Sequence, residues 1–118
     1  MKGLENITPH IPSSDKDETI SFLVDILGFS FENHSEYYYS ELHSGNHVLG
    51  VQASQGEPNQ QSIYLRVKDI DALWESINGK SESFRCHAPF DRDYGMREIH
   101  VVIPATETLL FIGSVIQS

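Results

Sequence analysis

The sequence predicts an α+β fold made of two successive βαβββ modules, and three observations carry the prediction. Two stretches repeat their apolar residues with a helical period. Each follows one short β-prone segment and precedes three more. A polar stretch rich in turn residues divides the chain between the two sets.

In chain order, Glu5–Pro12 is the first expected strand. Ile20, Leu23, Val24 and Leu27 then fall at i, i+3, i+4 and i+7, one face of a helix. Asp15 and Glu18 precede that face with capping-box spacing, and Gly28 follows it where a left-handed terminating glycine belongs. Strands are expected over Phe29–His34, Tyr37–His43 and His47–Gln52, with Ser44-Gly45-Asn46 as the hairpin between the last two. The stretch 53–60 carries Gly56 and Pro58 and is the expected linker.

The second half repeats the order. Gln61–Lys68 is its first strand, and Ile70, Leu73, Trp74 and Ile77 recur at i, i+3, i+4 and i+7, with Asp69 as cap and Gly79 as stop. Strands follow over Ser83–Pro89, Met96–Ile103 and Thr108–Val115, with Pro104 in the last turn. The modules therefore run from about 5 to 52 and from about 61 to 115, within one domain spanning 1–118. Helices this short are unstable alone in water, so each must lay its apolar face on something.

Composition narrows the functions. With 118 residues, 39% hydrophobic and 10% aromatic, the chain is long enough and apolar enough to bury a core. No apolar run reaches the ~20 residues of a membrane-spanning helix, and no apolar leader follows Met1, so no membrane role is expected. Eight Lys and Arg against 17 Asp and Glu give a formal charge of −9, which disfavours nucleic acid and favours a cationic ligand. Cys86 is the single cysteine, so no internal disulfide and no cysteine metal cluster is expected, and a reducing cytoplasm fits it.

Three segments resemble the glyoxalase, bleomycin-resistance and extradiol-dioxygenase (vicinal oxygen chelate) superfamily. Asp15–Phe29 is similar to the family's first helix with its "VLGF"-type end. Tyr64–Trp74 is similar to its "LRVDDIDALY" entry to the second helix, and Tyr94–His100 to the "WGMREF" strand of the bleomycin-resistance branch. The resemblance implies two cups facing a shared cavity, and a homodimer with exchange of the amino-terminal strand. It also implies, for the family's enzymes, a divalent metal on one His and one Glu from each module. Carried over, those positions are Thr8, Gly50, Ser62 and Phe111, none of them a usual ligand. No metal and no cofactor is therefore expected, and a metal-dependent enzyme is disfavoured.

Strand alternation selects the side chains that face such a cavity. Ile7 and Ile11 are assigned to the helix side of the first strand, which leaves Thr8 and His10 inward. Gly50, Gln52, Tyr37 and Tyr39 face the same way, opposite a core-facing Leu42. In the second module Ile63, Leu65 and Val67 form the helix side, leaving Ser62, Tyr64 and Arg66 inward. Ile99, Val101 and Ile103 are core, so Met96, Glu98, His100 and Val102 line the cavity.

The candidate ligand-binding set is His10, Tyr39, Gln52, Tyr64, Glu98, His100 and Phe111: flat apolar walls with a few polar groups. The plainer alternatives are that Tyr64 and Phe111 fill space and that Glu98 pairs with Arg66 or Arg97. His10, Glu98 and His100 are the one residual metal set. Trp74 reads as core, Cys86 as a small filler, and the loop at Asp91-Arg92-Asp93 as a rim. The expected function is metal-independent sequestration of a cationic or aromatic, bleomycin-like drug. The alternatives are a lactoylglutathione lyase-like isomerase, a thiol transferase, or an orphan ligand-binding domain.

Overall fold

A computed structural model of the chain describes residues 1–32, 39–54, 56, 59–84 and 86–117. The chain divides into two compact units. The first holds Met1–Asn59 together with Pro104–Glu107, and the second holds Gln60–Ile103 with Thr108–Ser118.

In the first unit β1 (His10–Ser13), α1 (Lys16–Ser21), β2 (Ser30–Glu32), β3 (Tyr39–Ser44) and β4 (His47–Ala53) form a sheet of order β1-β4-β3-β2. β1 runs parallel to β4, and the other pairs are antiparallel. The second unit repeats this topology. Its elements are β5 (Gln61–Arg66), α2 (Ile70–Ile77), β6 (Phe90–Asp91), β7 (Met96–Val102) and β8 (Thr108–Val115), in the order β5-β8-β7-β6. The βαβββ order expected from the sequence is present in both halves, and the fold is α+β.

The first strand is shorter than expected and begins five residues later. Pro9 has no N–H to donate, so the ladder opens at His10, with the Gly50 N–H reaching the Pro9 carbonyl at 2.8 Å. Ile7, assigned above to the helix side, is instead 76% exposed.

Asp15 caps α1 by accepting the Glu18 N–H at 3.2 Å. Its own N–H goes to the Ser13 hydroxyl at 3.0 Å, so only half of the capping box is made. Beyond Ser21 the helix widens into a π-helical turn over Phe22–Ile26, and Gly28 closes it at φ +80°. The wide turn slips the helical phase. The most buried face is therefore Thr19, Phe22 and Leu23, where the sequence period marks Ile20, Leu23, Val24 and Leu27.

Thr19, fully buried, is satisfied by a relay. The Asp15 N–H donates to Ser13 Oγ, Ser13 donates to Thr19 Oγ1 at 2.7 Å, and Thr19 donates to the Pro104 carbonyl at 2.8 Å. The Ser14 N–H reaches the Ala105 carbonyl at 2.9 Å. Ala105 itself holds a left-handed φ of 65°.

In the second unit Asp69 caps α2 through the Ala72 N–H at 3.1 Å. The helix ends at Ile77 and tightens into a 3₁₀ segment over Asn78–Ser83, so Gly79 lies inside that segment and does not stop the helix. Trp74, read as core from the sequence, is half-buried, and Ile70 and Ile77 carry the buried face. The strand expected over Ser83–Pro89 is replaced by a single antiparallel bridge of Cys86 to Val101 and by β6. Pro89 interrupts the ladder between them. The Cys86 thiol, half-buried, is pushed up by its burial.

Each sheet buries one face beneath its own helix. Ile11, Leu42, Leu49 and Val51 are buried along with Phe22 and Leu23 in the first unit. Ile99, Val101, Leu110 and Ile112 join Ile70 and Ile77 in the second. Each such side chain, fully buried, contributes roughly 1.5–3 kcal/mol. The other face of each sheet carries the candidate residues.

Candidate functional site

The candidate residues form two groups, one in each unit. On the first sheet, register places His10 and Glu41 on either side of Gly50, and Tyr39 beside Gln52. The His10 ring hydrogen-bonds Gln52 Oε1 through Nδ1 at 2.8 Å and lies against Tyr39 with centroids 4.4 Å apart. Gly50 permits this. A Cβ there would stand 2.8 Å from His10 Cδ2 and 3.1 Å from Tyr39 Cδ2. Tyr37, expected on this face, lies outside the described residues.

On the second sheet the group is denser. Glu98, in the middle of β7, is fully buried at 0% exposure. Its Oε2 accepts the Tyr64 hydroxyl at 2.8 Å and the Tyr94 hydroxyl at 2.7 Å, and its Oε1 bonds His100 Nε2 at 2.8 Å. Burial by itself would push this carboxyl up. The hydrogen bonds from His100, Tyr94 and Tyr64 outweigh burial and hold it below the usual carboxylate range. The same contacts raise the two phenols. Tyr64 is pushed up to about 12 by burial and by its bond to Glu98, and Tyr94 is raised chiefly by its bond to Glu98.

An aromatic wall surrounds this carboxylate. Tyr64 stacks on Phe111 at 6.4 Å and 10°, and His100 meets Phe111 edge-on at 4.5 Å and Phe90 edge-on at 5.0 Å. Gly113 leaves room for it, because a Cβ there would collide with the Tyr64 hydroxyl and stand 2.8 Å from Glu98 Cγ. Tyr64 and Tyr94 remain 43% and 56% exposed, so the rings face outward while the charge that fixes them does not.

Glu98 therefore holds rings in place and has no carboxylate surface to offer a ligand. The alternative pairing with Arg97 is not made, because Arg97 bonds Asp71 and Asp91, each at 2.9 Å. The β6–β7 turn supplies Tyr94 and also Arg92, whose guanidinium lies over the Phe90 and Tyr94 rings.

Neither Glu41 and His43 in the first unit nor Phe90 and Tyr94 in the second is among the sequence-derived candidates, and Arg92 is read there only as part of a rim loop. One signal for the first pair is in the sequence. Glu41-Leu42-His43 and Glu98-Ile99-His100 are the same Glu-x-His pattern in corresponding strands. Each glutamate stands opposite a glycine, Gly50 or Gly113. Glu41 bonds His43 at 3.0 Å and accepts the Tyr39 hydroxyl at 3.1 Å, as Glu98 bonds His100 and accepts Tyr64. Tyr94 opens the Tyr94–His100 stretch singled out above, but its bond to Glu98 depends on the turn that brings it back.

The residues do not suit a divalent metal at the positions the resemblance implies. Register sets Gly50 beside His10 and Phe111 beside Tyr64. Thr8 precedes β1 and donates its hydroxyl to Asn6 at 3.0 Å. One imidazole with a glycine, a phenylalanine and hydroxyls is not a metal donor set. Among the described residues, no three His, Cys, Asp or Glu side chains are grouped to hold an ion. No helix among them is long and apolar enough to cross a membrane.

No protein-family model matches the sequence, and no curated protein matches it. Solved structures do. A bleomycin resistance determinant encoded on the transposon Tn5 is similar at a TM-score of 0.77 and 26% identity, over 97% of this chain and 100% of that one. A member of the glyoxalase/bleomycin resistance protein/dioxygenase superfamily from Sphaerobacter thermophilus is similar at 0.76 and 16%, over 97% and 99%. Lactoylglutathione lyase from Agrobacterium tumefaciens is similar at 0.77 and 12%, over 97% and 96%.

Proposed function

Taking as premise that the chain has the glyoxalase/bleomycin-resistance/dioxygenase fold, we propose that it binds a small planar or cationic aromatic molecule without metal. In this reading it acts by sequestering an antibiotic-like ligand. The observation that carries the reading is the aromatic wall of Tyr64, Phe111, His100 and Phe90, locked by one buried, ionised Glu98. Phenols that donate to a carboxylate carry more electron density on their rings, which strengthens their attraction for cations. Rigid rings also lose little freedom when a ligand seats on them, so affinity follows without a reaction centre.

Similarity to a bleomycin resistance determinant supports the reading. The lyase alternative has a neighbour of the same fold but needs a metal donor set that these positions do not supply. Association of two copies in a cytoplasmic setting belongs to the same proposal. It is supported by Leu4 and Ile7, exposed in the segment before β1, and by the place of β1 at the end of its four-stranded sheet.

Calorimetric titration of metal-free bleomycin into chelator-treated protein tests the proposal. Saturable binding that weakens at least tenfold in Tyr64→Ala is expected. Absence of saturation in the wild type would overturn it.

A further inference from the structure

Arg92 opens the turn between β6 and β7. Its backbone is fixed, with its N–H on the Met96 carbonyl at 2.7 Å and its carbonyl accepting the Gly95 N–H at 3.2 Å. Gly95 provides the left-handed φ of +88° that closes so tight a turn. The Arg92 side chain is therefore the movable part. Its guanidinium carbon lies 5.4 Å from the Phe90 centroid and 5.5 Å from the Tyr94 centroid, inside the range of cation–π attraction.

No carboxylate among the described residues pairs with Arg92. The adjacent Asp91 is taken by Arg97 on the opposite face of the sheet. The two rings, together with the polar contact between Arg92 and the Tyr94 hydroxyl, are therefore what hold Arg92. Both belong to the proposed site, since Phe90 meets His100 edge-on and Tyr94 donates to Glu98.

We propose that Arg92 is a built-in occupant of the aromatic face, a cation that a ligand's own cationic group must displace, and hence the residue that sets the affinity and charge selectivity of this site. The inference rests on the binding function proposed above and adds the group that regulates it. A stacked, exposed guanidinium is held weakly, so a ligand cation displaces it at modest cost. A neutral ring seated on Tyr64 and Phe111 leaves it in place. Arg92 thereby lowers the affinity of every cationic ligand, and only those whose planar group brings contacts of its own bind well in spite of it.

Calorimetry with metal-free bleomycin on the wild type, Arg92→Gln and Lys2→Gln tests this. Lys2→Gln removes the same charge from the amino-terminal segment. Arg92→Gln is expected to bind about fivefold tighter, or about 1 kcal/mol, and Lys2→Gln within twofold of the wild type. A second readout needs no ligand. Arg92 lowers the Tyr94 phenol, so phenolate absorbance in Arg92→Gln is expected to titrate at higher pH. Wild-type binding with no gain in Arg92→Gln, or an equal gain in Lys2→Gln, overturns the role of Arg92 and leaves the binding function standing. An unmoved Tyr94 titration overturns it as well. No binding by any of the three overturns both.

Discussion

Replacing Glu98 by Gln removes one charge and almost no volume, and its effect follows from three hydrogen bonds. Those from His100 and Tyr64 are both 2.8 Å, and that from Tyr94 is 2.7 Å. A bond to a charged acceptor contributes roughly 1 kcal/mol more than a neutral one. The His100 bond counts in full, and the Tyr64 bond at about half because that side chain is 43% exposed. The Tyr94 bond is more exposed still and is not counted. The net loss is about 1.5 kcal/mol at neutral pH.

With an unfolding entropy of ~2.1 cal/mol/K per residue over 118 residues, that loss lowers the melting temperature by about 6 °C. The sign of the pH dependence is fixed. Glu98 is held below its unfolded value of about 4.3, so its contribution is complete above that pH. The contribution drains away as pH falls through the lower folded value. Thermal melts of both proteins followed by circular dichroism, at pH 7 and in steps down to about pH 2, check this. The gap should be present at pH 7 and close at the acid end. A gap absent at pH 7, or unchanged at the acid end, would refute an ionised, hydrogen-bonded Glu98.

Two further substitutions probe the same physics. Gly113→Ala pushes the Tyr64 hydroxyl off Glu98, and overpacking costs about 1–3 kcal/mol in urea denaturation. The Tyr64 phenol should then titrate below its value of about 12, and an unmoved titration would show that no collision occurs. Thr19→Val keeps the shape of the buried side chain but breaks the relay from Asp15 to Pro104. A loss of about 1–3 kcal/mol is expected, and an unchanged urea midpoint would mean that water restores those bonds.

Much of the fold was legible in the sequence because its signals are local. Both caps are short side chains placed three residues before the amide they accept, and Thr108–Val115 was bounded in full by its own alternation. The faces of β5 and β7 followed from the period of two, which placed Tyr64, Glu98 and His100 on one side and Ile99 and Val101 on the other. Where a local signal misled, a backbone feature was responsible. Pro9 and Pro89 cut strands short, and the π-helical turn rotated the buried face of α1 onto Thr19.

The sequence by itself determined the order of elements, their caps and the side chains that share a strand face, since each depends on residues only a few positions apart. Tertiary structure decided which of those faces meet, and with them the state of Glu98. Tyr64 lies 34 residues from Glu98 and reaches it only because β8 passes between their strands with Gly113 at the crossing. Tyr94 is four residues away and reaches it only because a tight turn folds back. Register between distant strands and the closure of a turn are cooperative properties of the packed chain. They turned a carboxylate legible as a ligand contact into a buried anchor, and they placed Arg92, legible only as part of a rim loop, over the Phe90 and Tyr94 rings.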